Sequence, residues 1–174
     1  ETSKAVKVCM SYEPMMRDMI QQDFRPIIET IYHADRIFVY GTGMVQRTVA
    51  KEMKRLFYHG RKNFFDFNGG DEFRALLKEL NNRDLLIMIS VSGERESLLE
   101  FVQKAKIKNV PVISITERLK NPLAQLSDYN LYISTTAVEQ NLSSVQYKSM
   151  TSYFILVEML MLRYLEYLEE KEEL

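Results

Sequence analysis

Two serines and a glycine mark the stretch of the chain whose residue types suggest chemistry. Ser90, Val91, Ser92 and Gly93 directly follow an apolar run, and a helical pattern begins after them. The first N–H groups of a helix have no partner within the helix, and the helix dipole gives that end a partial positive charge. Hydroxyl groups add hydrogen-bond donors, and glycine lets a ligand approach the backbone. The pattern indicates a site for a phosphate or another small anion.

A second glycine-containing loop comes earlier in the sequence. It follows a short β-rich run and consists of Gly41, Thr42, Gly43, Met44 and Val45. A dinucleotide-binding loop needs a third glycine where this chain has Gln46, although Asp66 lies near the place of the expected acidic residue. A P-loop is excluded because no Lys-Ser or Lys-Thr pair follows. The loop is therefore either a tight turn that needs glycine or one half of a ligand site.

Helix capping is the main alternative role for the two serines. Ser92 is placed to accept a hydrogen bond from the first turn of the next helix, but this role explains one serine and not both. Arg95 is expected in that first turn, where the helix dipole disfavours a cation by about 0.3–1 kcal/mol. Its guanidinium either pairs with Glu94 and Glu96 in solvent or binds phosphate through two parallel donors. Because phosphate is one of these two partners, we include Arg95 in the candidate anion site.

Alternating strands and helices position both loops. The pattern predicts strands at residues 36–40, 62–67, 85–90, 110–116 and 129–134, and helices at 13–33, 45–58, 72–80, 94–107, 122–126 and 143–170. Pro26 is expected to kink or split the first helix, and Asp71 to cap the third. The short links indicate a five-stranded parallel sheet with helices on both faces, an α/β fold of the three-layer α/β/α sandwich type. Both loops then lie at the carboxyl edge of the sheet, where such folds bind ligands.

Composition limits the class of protein. At 174 residues the chain fits one domain, with an N-terminal helical segment (1–33), a sheet core (34–134) and a long C-terminal helix (142–172). The 23 basic and 24 acidic residues nearly balance, which argues against nucleic-acid binding by this chain alone. The single cysteine, Cys9, cannot form an internal disulfide, and no apolar run is long enough to span a membrane. We expect a cytoplasmic protein, and the first residue, Glu1, suggests a fragment of a longer one.

The last helical segment predicts self-association. Its apolar residues cover nearly every face of the helix: Tyr153, Phe154, Ile155, Leu156, Val157, Met159, Leu160, Met161 and Leu162. A small sheet cannot cover all of them, so we expect a homodimer or a tetramer. The alternative is a core helix that is buried within one chain.

These motifs together resemble a SIS (sugar isomerase) domain over roughly residues 33–134. Residues 90–94 resemble the family's Ser-x-Ser-Gly-x-Thr phosphate loop, residues 111–116 the strand that follows it, and residues 121–128 the segment before the last strand. Within the family, the chain most resembles the C-terminal effector domain of RpiR-type transcriptional regulators. These proteins carry an N-terminal helix-turn-helix domain before a SIS domain that senses a phosphorylated sugar. The resemblance implies a flavodoxin-like topology, and DNA binding only through a helix-turn-helix domain outside this chain.

The candidate site combines the two loops with one later carboxylate. Its residues are Gly41, Thr42, Gly43, Met44, Val45, Ser90, Val91, Ser92, Gly93, Arg95 and Glu139. Two of them depart from the family's pattern, which has serine at the position of Val45 and threonine at that of Arg95. Because both missing hydroxyls belong to the family's phosphate cradle, we expect either weak binding or a ligand other than the usual monophosphate. We expect no cofactor and no metal.

Three functions are compatible with this site. The first is a phosphosugar sensor that alters DNA binding by the absent domain. The second is a ketose–aldose phosphate isomerase, which needs a general base, for which the candidates are Glu139, His59 and His33. Both histidines suit helix ends, and one carboxylate is thin support for catalysis. The third is a degenerate domain used only for oligomerisation. The sequence favours the sensor, with a phosphorylated sugar and a second copy of the chain as partners and no catalytic residue.

Overall fold

Strands alternate with helices along most of the chain. The computed structural model describes residues 3–117 and 119–172. Its helices are α1 (Lys4–Ile20), α2 (Arg25–His33), α3 (Met44–Tyr58), α4 (Asp71–Glu79), α5 (Glu96–Ile107), α6 (Pro122–Leu126) and α7 (Thr151–Glu172). Its strands are β1 (Arg36–Gly41), β2 (Phe64–Asp66), β3 (Asp84–Ile89), β4 (Val112–Thr116), β5 (Tyr129–Tyr132), β6 (Ala137–Val138) and β7 (Tyr147–Lys148).

The central sheet has five parallel strands in the order β2-β1-β3-β4-β5. β1 and β3 pair over six residues, from Arg36 opposite Asp84 to Gly41 opposite Ile89. The chain moves outward from β1 to β2 on one side and from β3 to β4 and β5 on the other, so the strand order reverses between β1 and β3. This topology confirms the predicted flavodoxin-like α/β sandwich, and it locates the crevice where such sheets bind ligands.

Each face of the sheet carries its own apolar core. Along the fully buried strand β3, Leu85, Ile87 and Ile89 face the core formed with α1, α2, α3 and α7. Leu86 and Met88 face the core formed with α4, α5 and α6. This two-sided burial explains why β3 is an uninterrupted apolar run. Within the part of the chain that the structure describes, no helix combines the length and apolar character needed to cross a bilayer.

The first helical segment consists of two helices, which confirms the prediction that the segment splits near Pro26. α1 begins at Lys4, earlier than the predicted residue 13, and ends at Ile20. α2 begins at Arg25, and Pro26 occupies its first turn. Proline suits this position because its ring sets the helical φ angle and the missing N–H would have no partner there.

The predicted starts of α4 and α7 were also wrong. Asp71 is the first residue of α4 rather than its cap, and Gly70, with a φ of +60°, takes the cap position. α7 begins at Thr151 rather than near residue 143, because residues 137–148 contain the antiparallel strands β6 and β7. The apolar side chains of Leu142 and Val145 in this segment are exposed, whereas those of α7 form the dense apolar stretch on which the prediction rested.

Candidate functional site

The carboxyl ends of β1 and β3 bring the two predicted loops together. The N–H of Thr42 donates to the carbonyl of Ile89 over 3.0 Å, directly ahead of Ser90. The N–H of Ser90 in turn donates to the carbonyl of Ile115 in β4 over 2.9 Å. Hydrogen bonds therefore extend the sheet into the loops and hold both of them at the crevice between β1 and β3.

Gly41 and Gly43 are needed because α3 lies against them. A Cβ added at Gly41 would overlap backbone atoms of Gln46, and one at Gly43 would overlap the Gln46 side chain. Gln46 is buried in the first turn of α3 and takes the place where a dinucleotide-binding loop would have its third glycine. The close approach delivers the N-terminus of α3 to the end of β1, so the tight-turn explanation and the ligand-site explanation are compatible.

The serine loop, residues 90–93, is held together by its own hydroxyls. The buried Oγ of Ser90 accepts from the N–H of Gly93 over 3.1 Å, and the partly exposed Oγ of Ser92 accepts from the N–H of Glu94 over 3.3 Å. Gly93 has a φ of +67°, and a Cβ there would overlap Asn121 of the α6 cap. A hydroxyl that accepts a hydrogen bond keeps its own hydrogen, so both serines can still donate to an anion.

Both helices that follow these loops start without a side-chain cap. α3 has Gly43 as its cap residue and α5 has Arg95, and among the described residues no side chain accepts from their first turns. α6, by contrast, is capped by Asn121. The serines therefore stabilise the loop rather than cap α5, and the first-turn N–H groups of both helices are available to an anionic ligand.

Arg95 lies just before the helix rather than within it, because α5 begins at Glu96 and not at the predicted residue 94. It is the cap residue of α5, not a member of its first turn, and its side chain lines a cavity of about 570 Å³ at the carboxyl edge. Arg47, from the start of α3, lines the same cavity. The candidate site predicted from the sequence did not include Arg47. Its position four residues after Gly43 was the available indication, but a single arginine on a helix is usually only a solvent-exposed residue.

The remaining residues of the first loop have separate roles. Val45, which replaces the family's serine, is half-buried and packs against the core on the α7 side of the sheet. Met44 is 79% exposed at the edge. The missing hydroxyl is thus replaced by an apolar contact that supports the position of α3.

The three candidate general bases do not converge on the serine loop within this chain. Glu139 follows β6, accepts from Gln146 and lines a groove with residues of α1. His33 ends α2 and lines a cavity with Asp84 at the amino edge of the sheet. His59 caps the C-terminus of α3, which runs away from the carboxyl edge.

A buried polar cluster lies behind the serine loop. The N–H of Glu117 donates to the carbonyl of Val91 over 3.0 Å, and the Glu117 carboxylate accepts from Lys148 over 2.8 Å. Glu117 Oε1, Ser152 Oγ and the Tyr153 hydroxyl are buried and have no well-formed hydrogen bond among the described residues. Burial raises the pKa of the Tyr153 phenol above its ordinary value.

Comparisons with known sequences agree with this architecture. The chain matches the family model of the SIS domain over residues 30–163. It is 30% identical over 170 residues to the HTH-type transcriptional regulator GlvR of Bacillus subtilis (strain 168), which covers 94% of this chain and 66% of that regulator. It is also 30% identical over 87 residues to the phosphoheptose isomerase of Cytophaga hutchinsonii, covering 49% of this chain and 46% of that enzyme. The chain therefore spans less than two thirds of the length of these relatives.

Solved structures share the same fold. The sugar isomerase domain of an RpiR transcription factor from Sphaerobacter thermophilus matches with a TM-score of 0.79 at 21% identity, over 99% of this chain and 100% of that one. The Vibrio vulnificus NanR protein complexed with ManNAc-6P matches with a TM-score of 0.80 at 20% identity, over 98% of this chain and 65% of that one. These matches confirm the fold that the resemblance to SIS domains implies. Since the family match covers most of the sequence and the fold agrees with it, the chain belongs to the SIS domain family.

Proposed function

We propose that this chain is the phosphosugar-sensing effector domain of an RpiR-type transcriptional regulator that acts in the cytoplasm. A regulator of that type binds DNA through a helix-turn-helix domain outside this chain. The regulator GlvR, which extends beyond the matched region, supports this assignment. NanR, solved with a phosphorylated sugar, supports the ligand class.

One observation carries the ligand class. The uncapped N-termini of α3 and α5 and the hydroxyls of Ser90 and Ser92 meet at the crevice between β1 and β3. First-turn N–H groups, helix dipoles and hydroxyl donors all favour an anion of the size of a phosphate. A cavity of about 570 Å³ adjoins the two loops through Tyr40, which precedes Gly41, and Arg95, which follows Gly93 by two residues, and its volume is large enough for a sugar.

A sensor also needs two states with different affinity for the ligand. α7 provides a surface on which a second copy of the chain can bind, and this interface can respond to ligand binding at the site. Its inner face is buried within the chain, whereas Phe154, Ile155 and Met159 are only half-buried and Leu162 is exposed. The start of α7 adjoins the polar cluster behind the serine loop, so ligand binding there can change the geometry of a dimer formed through α7.

The ligand class is tested by thermal unfolding in the presence of sugar phosphates. A ligand that binds the native state raises Tm. We expect at least one pentose or hexose phosphate to raise Tm, and Ser92→Asp to abolish the rise because it places a fixed anion in the cradle. Ser144→Asp, at an exposed position of the segment between β6 and β7, makes the same chemical change away from the site and should retain the rise. A panel that never raises Tm would contradict the proposal.

A sugar-phosphate isomerase is the second candidate, favoured by the likeness to the phosphoheptose isomerase of Cytophaga hutchinsonii. This reaction requires a general base near the carbon that loses a proton. Within one chain, Glu139 and both histidines lie on other surfaces than the serine loop. Steady turnover of a pentose or hexose phosphate by the purified protein would favour the enzyme over the sensor.

A further inference from the structure

Two arginines at helix starts line one cavity, whose lining includes Tyr40, next to Gly41, and Arg95, two residues after Gly93 of the serine loop. Arg47 follows Gly43 in the first turns of α3, and Arg95 is the cap residue of α5. Both contribute to the cavity of about 570 Å³, which we call the arginine crevice. Its remaining wall includes the aromatic side chains of Tyr40, Phe73 and Phe101, in which Phe73 packs edge-on against Tyr40 and stacks on Phe101.

The charges of the arginine crevice do not balance. Besides Arg47 and Arg95, its lining contains two ion pairs, Arg74 with Asp71 and Lys104 with Glu100. The Lys104 ammonium holds the pKa of Glu100 below its ordinary value, so that pair is charged and neutral overall at physiological pH. Arg47 and Arg95 form no ion pair with any residue that the structure describes. The lining of the arginine crevice therefore carries a net charge of two positive units, those of Arg47 and Arg95.

The position of these two charges is electrostatically unfavourable in the free protein. Arg47 stands in the first turns of α3 and Arg95 at the cap of α5, where the partial positive charge of a helix N-terminus disfavours a cation, and neither helix has a side-chain cap. An anion in the crevice would be attracted by both arginines and by both helix ends. A guanidinium offers two parallel donors, a geometry that matches carboxylates and phosphates.

We infer that the arginine crevice binds a second anionic group of the effector, so that the effector is a phosphorylated sugar that also carries a carboxylate or another phosphate. This inference rests on the proposed function, in which the serine loop receives the first phosphate. It agrees with the two departures of the chain from the family's pattern. The site for a monophosphate is weaker because Val45 lacks the family's serine hydroxyl and Arg95 lacks the family's threonine hydroxyl. The positive charge of Arg95 instead favours a ligand with more negative charge.

Isothermal titration of the purified chain tests the inference with three probes: glucose 6-phosphate, glucose 1,6-bisphosphate and 6-phosphogluconate. We expect one of the doubly anionic probes to bind about tenfold tighter than glucose 6-phosphate, because charge-assisted hydrogen bonds contribute at least this much. A preference for the bisphosphate identifies a second phosphate, and a preference for 6-phosphogluconate identifies a carboxylate. Either result supports the inference.

A variant with both Arg47→Gln and Arg95→Gln should reduce this affinity ratio to about one. The matched control removes two arginines elsewhere, Arg55→Gln and Arg83→Gln, which pair with Glu52 and Asp35 outside the crevice. It makes the same change in net charge and should keep the ratio. Equal affinity for all three probes in the unaltered chain, or an unchanged ratio in the Arg47 and Arg95 variant, would overturn this inference alone. No binding of any of the three probes would overturn this inference, and it would overturn the proposed function as well if the whole panel of sugar phosphates also fails to raise Tm.

Discussion

Arg36 and Asp84 join the first residues of β1 and β3 by a two-pronged ion pair. Arg36 Nε and Nη2 each lie 2.8 Å from one carboxylate oxygen of the buried Asp84. The same two residues are register partners at the amino edge of the sheet. Because a parallel pair is in register along its whole length, this contact also sets Gly41 opposite Ile89 at the ligand edge.

Asp84→Ala should therefore lower the free energy of unfolding by about 2–3 kcal/mol, the range for hydrogen bonds to charged groups. The Asp84 carboxylate also accepts from the N–H of Asn81, which would lose its partner. Urea unfolding measures the change. Asp35→Ala removes the exposed pair with Arg83 and serves as the control, with an expected cost of about 0.5 kcal/mol or less. Similar costs for both variants would show that the buried pair adds no more to stability than an exposed one.

Gly41→Ala should abolish phosphosugar binding as well as lower stability. The new Cβ would overlap the backbone of Gln46, so the first turn of α3 must move away from the end of β1. Overpacking of this kind costs about 1–3 kcal/mol. Gly60→Ala provides the contrast, because its Cβ would meet Tyr164 at 2.9 Å, far along α3 from the site. That variant should lose stability and retain the ligand-induced rise in Tm.

Ser90→Ala should lower the free energy of unfolding more than Ser92→Ala, whereas both variants should weaken sugar-phosphate binding. Ser90→Ala leaves the N–H of Gly93 buried without its acceptor, which costs about 1–3 kcal/mol. Ser92→Ala frees an N–H of the exposed Glu94, so its cost should stay within about 0.5 kcal/mol. Both variants should weaken sugar-phosphate binding by titration calorimetry. If Ser92→Ala bound as tightly as the unaltered chain, only Ser90 would belong to the cradle.

Stability should fall in alkaline solution because two buried phenols, those of Tyr153 and Tyr164, have raised pKa values, and Tyr164 is the one to test. Burial, with smaller effects of Tyr32 and Tyr167, raises the pKa of its phenol to about 12 from the ordinary value of 10.0. The native state then keeps a proton that the unfolded chain has lost, so stability decreases as pH rises from about 10 to about 12, by about 2 kcal/mol. Urea midpoints at pH 9 and 11.5 should fall less in Tyr164→Phe. The exposed Tyr58→Phe should show the full fall.

Leu162→Glu should dissociate the oligomer that we propose to form through α7. Leu162 is 54% exposed on the half-buried outer face of that helix, and a carboxylate would be costly within an apolar interface. Sedimentation at micromolar concentration should give a dimer or tetramer for the unaltered chain and a monomer for the variant. Ile107→Glu, at an 82% exposed position on α5, should not change the mass. A monomeric unaltered chain would contradict the interface.

The sequence by itself determined the fold class and the position of the ligand edge. Apolar runs with turn residues between them predicted all five strands of the parallel sheet, and strand–helix alternation implies that Gly41 and Ser90 follow strands at the same edge. Local signals suffice here because periodicity reports which faces of an element are buried. The glycines and serines were recognisable for the same reason, since their roles depend on neighbouring backbone.

Only the tertiary structure decided how side chains from distant parts of the chain combine. It placed Arg47 and Arg95 around one crevice, moved Glu139 to the groove beside α1 and paired β6 with β7 where a helix was expected. No local sequence pattern predicts these relationships, because each depends on contacts between elements far apart in the sequence. A residue's partners are set by the packing of whole elements, and that packing is where the charge and shape of the ligand site arise.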